Sequence, residues 1–79
     1  MRQSVIKREA DIRSDFDAIV GTAEIVVVRK YDKGAWGWCR INGVERPYQR
    51  LNAFVRRGLL ILIERRGEGG KDWIFRNVA

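Results

Sequence analysis

The sequence predicts a small α+β domain, a three-helix core followed by a two-stranded β-ribbon, and three observations carry that expectation. Glu45 to Arg57 is basic and helix-like. Pro47 stands where a first helical turn tolerates a missing N–H, and Gly58 stands where a helix stops in the left-handed conformation. Leu59 to Ile63 is a continuous apolar run, and Gly67-Glu68-Gly69-Gly70 separates it from Trp73-Ile74-Phe75, which reads as strand, flexible tip and strand. Upstream, Phe16, Ile19, Val20, Ala23, Val26 or Val27, and Tyr31 recur at three- and four-residue steps. That spacing predicts a first core helix from Asp15 to about Asp32, ended by Gly34, with Ser14 and Asp17 as its capping box.

With 79 residues there is room for one domain, residues 14–79, preceded by an arm or helix extension over residues 1–13. Sixteen Lys and Arg against ten Asp and Glu give a net charge of +6, which suits a polyanionic partner. The 46% hydrophobic fraction argues for a folded chain. The sequence has no apolar run near the roughly twenty residues needed to span a bilayer and no signal-peptide core, so an intracellular, cytoplasmic protein without a membrane partner is expected.

Catalysis is not expected. The chain has no histidine, which removes His-based zinc sites and Ser-His-Asp or Cys-His nucleophiles. Its single cysteine, Cys39, reads as a small buried apolar side chain. Asp11, Asp15 and Asp17 do not converge on one helix face as a Mg²⁺ site requires, and the glycine tip lacks the GxxxxGK[ST] spacing of a phosphate loop. No cofactor or metal is expected.

Gly34 to Gly43 admits two readings. In one, Ala35 and Trp36 form a minimal strand, Gly37 to Ile41 a very short second helix, and Asn42-Gly43-Val44 the turn into a third. In the other, Trp36 to Ile41 is a strand and Asn42-Gly43 a type I′ hairpin turn. Pro47 favours the first, because it fits badly inside a strand and well at a helix start. The Ile25 to Val28 run, β-branched throughout, and Gly21 inside the first helix pull toward strands.

Taken with VRRGLL at Val55 to Leu60, the glycine-rich wing and Gly43 ahead of the helix, residues 23–76 resemble the winged helix-turn-helix family of DNA-binding domains. The resemblance implies a double-stranded DNA-binding transcriptional regulator with its third helix in the major groove. On that helix Tyr48, Leu51 and Val55, with Phe54 at the border, should face the core. Arg46, Gln49, Arg50, Ala53 and Arg57 should face DNA, as donors to base edges and a small side chain for close approach. Arg65, Arg66 and Lys71 on the wing should reach phosphates. The family binds paired half-sites, and Val5 to Ile19 is the candidate helix of a homodimer.

The alternative architecture is a small OB-like β-barrel that binds RNA or single strands. Its strands would be Ile25 to Tyr31, Trp36 to Ile41, Val44 to Tyr48, Leu59 to Arg66 and Asp72 to Val78. Leu51 to Arg57 would be a helix between the third and fourth, and Lys33 to Trp38 an aromatic strand for base stacking. A small protein-binding inhibitor anchored by Trp36 and Trp38 is a further class.

Overall fold

The computed structural model describes residues 2–31 and 37–79, with side chains from Arg8 onward. Helix α1 spans Arg2–Ile19 and helix α2 Tyr48–Arg56, and five strands lie at Ile25–Lys30 (β1), Trp38–Ile41 (β2), Val44–Pro47 (β3), Leu60–Arg66 (β4) and Asp72–Asn77 (β5). The strands form one antiparallel sheet in the order β3-β2-β1-β5-β4. Both helices pack on one face of it.

This corrects the winged-helix expectation: two helices and a five-stranded sheet replace a three-helix core with a hairpin wing. The first helix lies upstream of its predicted span. It ends at Ile19, and Gly21 follows in the left-handed region (φ 57°), donating its N–H to the Phe16 carbonyl at 3.1 Å. Ser14 and Asp17 therefore lie inside α1 rather than at its start. The expected end at Gly34 and first strand at Ala35 and Trp36 fall outside the described residues. Ile25-Val26-Val27-Val28 forms a strand, as β-branched residues with side chains alternating between a core and an open face should.

The short second helix predicted over Gly37 to Ile41 is also overturned, because Trp38–Ile41 is β2. Asn42 (φ 53°) and Gly43 (φ 84°) make the two-residue turn into β3, as a type I′ hairpin requires. Pro47 satisfies both local signals at once. It pairs with Trp38 at the end of edge strand β3 and stands extended (φ −66°, ψ 151°) immediately before α2. The strands and intervening helix of the barrel reading are thus present, but in an open sheet with β3 and β4 at its edges.

Because α2 joins the two edge strands, the chain must cross the sheet. Nine helical residues cover about 14 Å, and five strands separate their edges by about 19 Å, so α2 and the Arg57 to Leu59 link lie across the inner face. There Leu51 and Phe54 meet Ile12, Phe16 and Ile19 of α1 above Val26, Val28, Cys39, Ile41, Leu60 and Phe75. Phe16 and Phe54 make an edge-to-face pair with centroids 5.1 Å apart. Phe54 is fully buried while Val55 is 41% exposed, so the predicted core stripe is rotated: Phe54 replaces Val55. At the sheet end near α1, Asn77 Nδ2 donates to the Gly21 and Ala23 carbonyls, and Asn42 Nδ2 to the Ile19 carbonyl.

Candidate nucleic-acid interface

Alternation along the strands divides the sheet into a face under the helices and a face free of them. Val28 pairs with Ile41 inward, so Arg29 and its partner Arg40 point outward, as do Trp38 and Tyr31 two residues further on. Trp38 is 41% exposed beside the buried Cys39. Arg40 Nε donates to Tyr31 Oη at 2.8 Å, and Tyr31 Oη donates to Glu45 Oε2 at 2.7 Å. The Arg40 guanidinium also lies 5.3 Å from the Tyr31 ring, and Arg29 Nε donates to Asp72 Oδ1 at 3.0 Å. These contacts hold two arginines and an aromatic ring on one end of the open face. Toward the other end of that face Ile25, Val27 and Ile61 are exposed around Ile74 and the exposed Arg76.

At the Arg29 and Arg40 end, the rim of the sheet carries more positive charge. Lys30 Nζ lies 3.6 Å above the Trp73 ring and Arg65 lies 5.0 Å from it, both on the inner side of the sheet. Arg66 points to the open face, paired with Glu64 at 2.7 Å. Lys71 lines a shallow hollow with Arg29, Lys30, Tyr31 and Arg40. Of the three wing residues predicted to meet phosphate, Lys71 thus lines the hollow with Arg29 and Arg40, Arg66 lies on the same face across Asp72 from Arg29, and Arg65 turns to Trp73.

The five residues assigned to a recognition helix separate. Arg46 is on β3, where Asp15 of α1 accepts from its Nε and Nη2 at 3.0 and 2.9 Å. Asp15 also receives Arg50 Nε at 3.2 Å. Arg57 donates to both carboxylate oxygens of Glu9, and that hydrogen-bonded guanidinium holds the Glu9 carboxyl below the usual carboxylate range. The same contacts raise the Arg46 and Arg57 guanidiniums above their ordinary value. Gln49, Arg50, Ala53 and Arg57 nevertheless line one cleft between α2 and α1, together with Arg8, Asn52 and Arg56.

Several of these positions were missed from sequence. Arg8, Asn52 and Arg56 become neighbours of the assigned residues only once α1 is known to pack along α2. Arg29, Arg40 and Tyr31 become one surface only once β1 and β2 are paired. The alternation of buried and exposed residues in Ile25 to Tyr31 was the available signal for the latter. The amphipathic stretch Val5 to Ile19, expected to make a dimer helix, places Ile12, Phe16 and Ile19 in the core of its own chain. Burial pushes the Cys39 thiol up to about 11, and its Sγ lies 3.5 Å from the Arg46 carbonyl it can donate to. Among the described residues, no helix is long and apolar enough to cross a membrane. No family model, curated protein or solved structure matches the chain.

Proposed function

We propose that the protein binds single-stranded nucleic acid, RNA or DNA, on the arginine-bearing end of the helix-free face of its sheet. The observation that carries the reading is Trp38, exposed on that face two residues along β2 from Arg40, whose cross-strand partner on β1 is Arg29. Bases stack on an exposed indole with about 1–3 kcal/mol each, whatever their identity, while neighbouring guanidiniums take the phosphates. Tyr31 and Lys71 extend the surface, and the net charge of +6 favours a polyanion.

A duplex reader needs a helix whose polar side is open to a groove. In α2 two of the arginines on that side, Arg50 and Arg57, are already paired with Asp15 and Glu9 of α1. Anisotropy titrations of labelled single-stranded DNA, RNA and duplex at low and moderate salt test the reading. Single strands should bind more tightly than duplex at both salt levels, with affinity falling as salt rises. Preference for duplex would overturn it.

A further inference from the structure

The cleft between α1 and α2 lies in the helical layer, apart from the sheet face on which the proposed function rests. Ile12, Pro47 and Ala53 supply its apolar part, and Arg8, Arg50, Arg56, Arg57, Gln49 and Asn52 its polar groups, over a volume of about 690 Å³. Among the described residues that line it there are four guanidiniums and two amides but no carboxylate. Two of the arginines are fixed from behind. Arg57 is held by Glu9 and donates Nη1 to the Ala53 carbonyl at 3.1 Å, and Arg50 is held by Asp15. Tethering a long side chain before a ligand arrives removes part of the ordering cost of binding. Among the described residues, no acceptor reaches Arg50 Nη1, which is buried. Arg8 and Arg56 are exposed at its edge.

Four arginines lining one hollow match the chemistry of clustered phosphate oxygens, which accept paired N–H donors from Arg. We propose that this cleft is a second site, specific for a ligand carrying adjacent phosphate groups. Arg57 and Arg50 supply fixed donors, Arg8 and Arg56 close over the anion, and Gln49 and Asn52 donate from the rim.

Calorimetric titration with inorganic tripolyphosphate tests this on the full chain. One saturable site is expected. Arg8→Ala combined with Arg56→Ala should weaken it by about tenfold or more. Arg56→Ala alone should already weaken it clearly, whereas Arg13→Ala, which removes the same single charge from an exposed position of α1 outside the cleft, and Trp38→Ala, which alters the sheet face, should each leave affinity within about twofold. Thermal unfolding of each variant confirms that these exposed substitutions leave the fold intact. Absence of saturable binding would overturn the proposal, as would equal losses from Arg13→Ala and Arg56→Ala, which would mean net charge alone is read. Because Trp38 is absent from the cleft, failure here and failure of the sheet-face reading are separable. A second arm adds a short unstructured oligonucleotide to the tripolyphosphate complex of the Trp38→Ala variant. Displacement assigns the cleft to phosphates of a strand, and retention assigns it to a free polyphosphate; either result supports a phosphate site.

Discussion

Asp15 in α1 and Arg46 in β3 are joined by a forked pair of hydrogen bonds, Nη2 to Oδ1 at 2.9 Å and Nε to Oδ2 at 3.0 Å. This contact ties the N-terminal helix to an edge strand 31 residues away, and Arg50 of α2 shares the same carboxylate. Asp15→Ala would leave two guanidiniums facing each other without their acceptor. The pair is partly solvated, so the loss should be about 1–2 kcal/mol rather than the cost of a buried pair. Urea unfolding of the variant against the parent measures it, and a change under about 0.3 kcal/mol would show that the contact does not brace α1.

Phe54 carries the packing between helices and sheet. Phe54→Ala should cost about 3–5 kcal/mol, a large share of the total stability of roughly 5–15 kcal/mol for such a domain. Val55→Ala, at the next residue but turned to solvent, should stay within about 0.5 kcal/mol. Equal losses in chemical denaturation would contradict the observed rotation of α2.

Much of the sheet was legible in residues whose local chemistry agreed with their final environment. Leu59 to Ile63 and Trp73 to Phe75 read as a hairpin because the apolar run, the glycine tip and the aromatic run left no other short-range solution. Gly58 ended α2 as expected, at φ 69°. The middle of the chain misled because two sound signals were treated as rivals. Asn42-Gly43 demanded a hairpin and Pro47 a helix start, and a four-residue strand between them satisfies both. Phe16 to Tyr31 misled because period-3.6 matches continued past Gly21 into residues buried at period 2. Sheet order was out of reach, since nothing local places β5 between β1 and β4. The candidate site depends on that pairing, so Trp38 could be named from sequence but its companions Arg29 and Arg40 could not.

Cys39 gives a pH dependence whose sign follows from its burial. The folded protein keeps the thiol proton up to about 11, whereas the ordinary value is 9.0. Between those values the unfolded chain binds fewer protons than the native one, so stability falls as pH rises through that window. Parent and Cys39→Ala, unfolded in urea at about pH 8 and about pH 10, should differ in their pH response, with the parent losing more. The native thiol should also react far more slowly with a disulfide reagent than the unfolded chain does. Matching rates would place Cys39 at the surface.

The central claim is that an exposed indole on the helix-free sheet face stacks nucleobases. Its most direct measurement is the affinity of a single-stranded oligonucleotide for the parent, Trp38→Phe and Trp38→Ala at one fixed salt concentration. Loss of one stacking ring should weaken Trp38→Ala by roughly fivefold to a hundredfold, with Trp38→Phe in between. Equal affinity for all three proteins would contradict the account.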